Sequence, residues 1–243
     1  DLTLSAAVFP TARHERLRKI QQNWEEWVKK EWIDLLVPMT YASNTEELAQ
    51  KYQAVLDRSQ EGSTLFLPGI RLLNLPDFIA MDQMQLLRNS SFGGYALFAT
   101  ENLQPSLEHI FNRTQRSVKI ADREPIPHRQ PFQATSFRYQ GLQREWNYLL
   151  ANNLITIDEL DLKELAKQAD ELGKMFDRLA QQPSQEYLTS ARSELDSFRK
   201  RFPFWMQEYN KTKPLQVQAW QNRLVALDRL LSYGNRVILS RKL

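Results

Sequence analysis

The chain has 243 residues with no cysteine and three histidines, and 32 basic against 29 acidic residues give it a formal net charge of +3. Without cysteine there are no disulfides, thiolate nucleophiles or cysteine-based metal sites, and three widely separated histidines predict no metal centre. So small a basic excess does not predict a nucleic-acid-binding surface. Since no apolar run approaches the ~20 residues that cross a bilayer, no transmembrane segment is predicted either. No motif calls for a cofactor.

Four apolar stretches in the first half have the form of buried strands. They start at Thr3, Asp34, Thr64 and Gly93, so the starts are 31, 30 and 29 residues apart. That is about the length of a strand, a helix and two short loops. Segments with helical periodicity fill the gaps, and parallel strands need crossovers of this size. The spacing therefore predicts four parallel βα units.

The first predicted helix covers residues 15–30, and the next three cover 45–58, 77–88 and 105–114. Residues 116–134 contain three prolines and no regular apolar spacing, which indicates a linker or a strap between domains. Beyond it, helical periodicity runs through most of residues 135–243, as expected for a helical bundle or a pair of long helical hairpins. The predicted domains are thus 1–115 and 135–243, joined by the linker.

Four βα units are too few to close a (β/α)8 barrel, which needs eight strands. From these patterns alone, the first domain is either an open, doubly wound sheet or the second half of a barrel. Both architectures gather the carboxyl ends of the strands at one edge, so we look for functional residues there.

The first domain resembles the C-terminal half of the glycosyl-hydrolase-like family 10 barrel. The resemblance rests on the Trp-rich segment 24–33 that leads into Asp34-Leu-Leu-Val-Pro-Met-Thr-Tyr41, on Leu65-Phe-Leu-Pro-Gly-Ile70, on Gly93-Gly-Tyr-Ala-Leu-Phe98 and on the pair Phe9-Pro10. It covers residues 1 to about 115, and the helical tail is similar to that of cyanobacterial members. It implies a TIM-barrel half made of the fifth to eighth strands, a polysaccharide substrate such as a cell-wall glycan, and a periplasmic or extracellular location. The family's acidic pair on an earlier strand has no counterpart here.

Glu101 is the candidate catalytic residue because it is the one carboxylate expected at a strand end, and glycoside hydrolysis uses two. Tyr41 is the candidate for sugar contact, since its ring can cover an apolar sugar face while its hydroxyl forms hydrogen bonds. Arg71 is either a substrate clamp or part of a loop-bracing salt bridge. The remaining candidates for the rim are Phe9, Met39, Asn74, Phe98 and Asn102.

The expected function is therefore glycoside hydrolysis, with the principal catalytic acid outside these residues. The alternative is a carbohydrate-binding or scaffolding protein without catalysis, whose helical domain mediates assembly. A half barrel would also expose unpaired strand edges, which predicts a missing barrel half or a homo-oligomer as partner.

Overall fold

The computed structural model describes residues 2–56, 62–116, 124–155 and 157–240. The chain divides into two compact units, Asp1–Arg123 and Glu124–Leu243. Residues 117–123 of the predicted linker lie outside the described residues, and its last residues, from Pro131 onward, begin a helix.

The first unit alternates short strands with helices. In chain order its elements are β1 (Ser5–Val8), α1 (Arg13–Ile20), α2 (Trp24–Lys29), β2 (Leu35–Pro38), α3 (Thr45–Leu56), β3 (Leu65–Phe66), β4 (Gly69–Arg71), α4 (Asp77–Arg88), β5 (Ala96–Phe98), a 3-10 turn (Thr100–Asn102) and α5 (Pro105–Arg116).

The predicted half barrel of four βα units is wrong. Helices make up 66% of the structure, and five short parallel strands in the described residues form two small sheets, one of order β1-β2-β3 and one of β4 with β5. The stretch predicted as one strand, residues 64–70, is divided between the two sheets. Leu67 N donates to Leu36 O at 2.9 Å, whereas the Pro68 carbonyl accepts from Ala96 N at 3.1 Å. Pro38 is the next residue of β2 that faces this stretch and has no N–H to donate, so the ladder with β2 ends here.

Parallel pairing brings the carboxyl ends of the strands in each sheet to a common edge. Ser5 is opposite Leu35 and Val8 is opposite Pro38, while Gly69 pairs with Ala96 in the second sheet. Two hydrophobic clusters support the sheets. The first includes Val8, Trp24, Val28, Ile33, Leu36, Val55, Phe66 and Phe92, and the second includes Leu48, Ile70, Leu72, Leu75, Ala80, Met84, Leu87 and Leu107.

The second unit is a helical bundle. Its elements are α6 (Pro131–Ala151), α7 (Glu159–Gln181), α8 (Gln185–Trp205), the short α9 (Gln207–Thr212), α10 (Pro214–Gly234) and a π-helical turn (Asn235–Leu239). Helix α7 begins after Asp158 and α8 after Ser184, and each of these side chains accepts a hydrogen bond from the first turn.

Aromatic and aliphatic side chains fill the bundle core. Trp146 stacks on Phe198 at 5.9 Å between ring centroids, and Trp220 meets Trp146 edge to face at 6.3 Å. Helix α7 packs against α6 and α8, and α10 packs against the same two helices. Within the described ranges, no helix is both long and apolar enough to span a membrane.

Candidate functional site

Tyr41 lies just beyond the end of β2, where hydrogen bonds hold both the preceding residue, Thr40, and the Tyr41 carbonyl. The buried Thr40 hydroxyl donates to the Gly69 carbonyl at 3.0 Å, which ties the end of β2 to the start of β4. On the other side, Lys51 Nζ donates to the Tyr41 carbonyl at 2.6 Å. The polypeptide is therefore held where the Tyr41 side chain leaves it.

The ring of Tyr41 stacks on the ring of Phe98, at the end of β5. Their centroids are 5.5 Å apart and their planes are inclined by only 19°. Tyr41 is half-buried, whereas 53% of Phe98 is exposed. The two rings therefore form an aromatic surface that is open to solvent and built from two different strands.

Gly69 lets the Tyr41 ring come close to the backbone. A Cβ at this position would lie 3.1 Å from Tyr41 Cε1 and 3.3 Å from the Pro38 carbonyl oxygen. Few Cβ atoms tolerate such short contacts, so the small residue fixes where the ring can lie.

Arg71 supplies positive charge beside the aromatic pair. Burial raises the pKa of the Tyr41 hydroxyl above its ordinary value of 10.0, and the nearby Arg71 guanidinium partly offsets that rise. At neutral pH the hydroxyl is therefore protonated and can donate a hydrogen bond. Arg71 itself is exposed, and no salt bridge joins it to a carboxylate in the part of the chain that the structure describes.

Glu47 orders the loop that follows Tyr41. Its carboxylate accepts hydrogen bonds from Lys51 Nζ at 2.7 Å and from Ser43 N and Oγ at 2.9 and 3.0 Å. These bonds lower the pKa of Glu47 to about 2, with Lys51 as the largest cause. Glu47 is therefore ionised at neutral pH, and Lys51 joins its carboxylate to the Tyr41 carbonyl.

Phe9 and Met39 lie at the ends of β1 and β2 but are not part of the aromatic pair. Phe9 N donates to Gln22 Oε1 at 2.9 Å, and the Phe9 carbonyl accepts from Trp24 Nε1 at 3.2 Å. Its ring is 45% exposed. Met39 is half-buried and its backbone N donates to Val8 O at 2.8 Å. Among the described residues, the structure shows no ring contact between Phe9 and Tyr41 or Phe98.

The candidate catalytic residue, Glu101, lies in the 3-10 turn after β5 and is exposed to solvent. The carboxylate of Glu101 therefore lies in solvent and not in an apolar pocket. Asn102 is half-buried in the same turn, and its backbone N donates to Ala99 O at 2.9 Å. Asn74 is exposed in the loop after β4, with a left-handed φ of 57°.

Three supporting residues are absent from the sequence-based candidates: Thr40, Lys51 and Gly69. A glycine beside a proline in an apolar stretch is a recognisable signal of close backbone approach, and it marks Gly69. Thr40 and Lys51 carry no comparable signal, because their partners are 29 and 10 residues away in the chain.

The described residues contain no group of three or more His, Asp or Glu side chains arranged to hold a metal ion. The chemistry available at this rim is therefore that of two stacked rings, a hydroxyl and a guanidinium.

Comparisons with protein families, with curated proteins and with solved structures found no match for this chain.

Proposed function

We propose that the first unit binds a polysaccharide through the aromatic surface of Tyr41 and Phe98, and that it does so without cleaving the chain. The observation that carries the proposal is the open stack of the two rings beside Arg71. The apolar faces of sugar rings pack on aromatic faces, while hydroxyl and guanidinium groups donate to sugar oxygens.

Binding suits the arrangement of carboxylates better than hydrolysis does. A glycosidase places two carboxyl groups across the scissile bond, about 5–5.5 Å apart in retaining enzymes and 6.5–9.5 Å apart in inverting ones. Of the sequence-predicted rim residues only Glu101 carries a carboxylate, and it is solvent-exposed. The side chains that converge are instead the aromatic rings and one cation.

The experiment measures binding of the whole chain to peptidoglycan, chitin and a soluble β-glucan, by co-sedimentation and calorimetry. Tyr41→Ala and Phe98→Ala should each weaken binding to the preferred polymer about two- to tenfold, as expected when one ring contact is lost. Trp32→Ala removes another exposed ring, before the start of β2 and so at the other end of the strand from Tyr41, and is the matched control that should bind like the unmodified chain. Equal affinity in all four proteins would contradict the proposal.

Reducing-end release is measured in parallel with the same polymers. The proposal predicts none above the background of the polymer alone. Steady release that disappears in Glu101→Gln would establish hydrolysis and overturn the non-catalytic assignment, even if the aromatic rings prove to bind the sugar.

A further inference from the structure

Exposed apolar side chains are concentrated at one end of the helical bundle. Among the described residues of the second unit, five large apolar side chains are more than half exposed: Tyr148 (63%), Leu154 (54%), Leu160 (76%), Phe204 (69%) and Leu215 (85%). They come from the last turns of α6, the loop after it, the start of α7, the end of α8 and the start of α10.

Contacts between the helices show that these positions share one end. The Tyr139 hydroxyl on α6 donates to the Ala169 carbonyl on α7 at 3.0 Å, and Gln133 Nε2 donates to the Ala180 carbonyl at 3.1 Å, so the two helices are antiparallel. The Arg201–Glu164 ion pair likewise brings the end of α8 to the start of α7.

Helix α10 completes the arrangement. Its first turns meet the last turns of α6, because Gln216 Nε2 donates to Glu145 Oε1 at 3.0 Å. Phe202 of α8 lies edge to face with Trp220 of α10 at 6.3 Å. The five exposed side chains therefore surround one end of the bundle, which we call the apolar end.

Charge is divided across the apolar end. The start of α7 carries four acidic residues and one basic residue between positions 158 and 164. Toward α10, Arg199 and Lys200 of α8 line a groove with residues of α10, and the segment 207–213 carries two basic residues and one acidic residue. Arg201 does not belong to this basic group, because it pairs with Glu164 of α7. Helices α7 and α10 each pack against both α6 and α8, so they occupy opposite corners of the bundle. The acidic corner at α7 is therefore diagonal to a basic corner beside α10, which is formed by Arg199, Lys200, Lys211 and Lys213.

We propose that the apolar end is the interface with a second copy of this chain. A two-fold axis that lies in the plane of the interface, perpendicular to the α7–α10 diagonal, sets the acidic corner of each copy on the basic corner of the other. The same rotation buries the five apolar side chains against each other. In the symmetric dimer, the contact between an acidic and a basic corner is formed twice, and each copy contributes its five apolar side chains.

The charge division favours a second copy over an anionic membrane. An anionic bilayer would attract the basic corner and the apolar side chains, but it would repel the four carboxylates at the start of α7. We therefore expect a concentration-dependent dimer that salt weakens.

The test is sedimentation velocity of the whole chain at low and high ionic strength over a wide concentration range. The mass should rise from 28.6 kDa toward twice that value with concentration, and high salt should shift the transition to higher concentration. Phe204→Ser combined with Leu215→Ser should leave a monomer at all concentrations. Phe78→Ser removes a comparably exposed ring in the first unit (67% exposed) and is the control that should still dimerise.

A charge-swap experiment tests whether the acidic corner of one copy contacts the basic corner of the other. Asp161→Lys and Lys213→Asp should each weaken self-association at least tenfold, because each sets like charges together at both contacts. An equimolar mixture of the two variants should restore dimers, since the mutated corners then complement each other. A mixture that stays monomeric, or a chain that remains monomeric alone while it sediments with phosphatidylglycerol vesicles, would overturn the proposal. Circular dichroism of each variant checks that the bundle is intact.

Discussion

The position of the Tyr41 ring depends on a residue that has no side chain. Gly69 allows the ring to lie against the backbone, and its carbonyl accepts the hydrogen bond from Thr40 that fixes the preceding residue. Gly69 is buried, so it fixes the position of the Tyr41 ring without being part of the exposed aromatic surface. Tyr41 follows a strand of one sheet and Phe98 ends a strand of the other, so their stacking depends on the Thr40–Gly69 hydrogen bond and on this close approach.

Gly69→Ala should therefore weaken polysaccharide binding about as much as Tyr41→Ala does. The new Cβ would lie 3.1 Å from Tyr41 Cε1 and 3.3 Å from the Pro38 carbonyl oxygen, so the ring must shift from its present position against Phe98. Calorimetry with the preferred polymer measures the loss. Gly141→Ala is the matched control, because the nearest atom to its Cβ is 3.9 Å away, and alanine stabilises a helix interior by up to about 1 kcal/mol relative to glycine. Unchanged binding in Gly69→Ala would show that the stack does not contribute to affinity.

Glu145 connects α6 to α10 through polar contacts. Its Oε1 accepts from Gln216 Nε2 at 3.0 Å and from Trp220 Nε1 at 2.9 Å, and its Oε2 accepts from Arg223 Nη1 at 2.5 Å. Trp220 is fully buried, so its indole N–H needs this acceptor. One carboxylate thus fixes the register of two helices that are far apart in the chain.

Glu145→Ala should lower the free energy of unfolding of the bundle by about 1–3 kcal/mol, because it leaves the buried indole donor without a partner. Urea unfolding followed by circular dichroism measures the change. Glu159→Ala breaks an ion pair with Lys163 that is 70–80% exposed, and it should change the same quantity by less than about 1 kcal/mol. Equal effects of the two substitutions would mean that the hydrogen bonds of Glu145 add little to stability.

Secondary structure could be predicted from the sequence where it depends on local pattern. Helix α4 has the predicted bounds, Asp77–Arg88, because its apolar periodicity is uninterrupted. The predicted helix over 15–30 is instead two helices, since Gln21 adopts a left-handed φ of 53° and ends the first. Apolar stretches over-estimated the strands because they mark burial and not ladder pairing. The half-barrel prediction failed for that reason, and the short α9 has too little periodicity to be found.

The two units have separate hydrophobic cores. The bundle core draws its buried members from residues 132–231, and both clusters of the first unit draw theirs from residues 8–107. The bundle helices also supply their own caps and polar contacts, as at Ser184 and Glu145. A core of this kind does not need residues from the other unit in order to form.

Residues 124–243 should therefore fold when they are expressed alone. The fragment should show the circular dichroism of a helical bundle and unfold cooperatively in urea, with a slope of about 1–3 kcal/mol per M. Leu224→Ala removes a fully buried core side chain and should lower stability by about 2–5 kcal/mol in the fragment and in the whole chain alike. Two results would contradict this prediction: a fragment that unfolds without a cooperative transition, or a Leu224→Ala substitution that destabilises only the whole chain. Either would mean that the bundle needs residues 1–123 in order to fold, although the hydrophobic cores are separate.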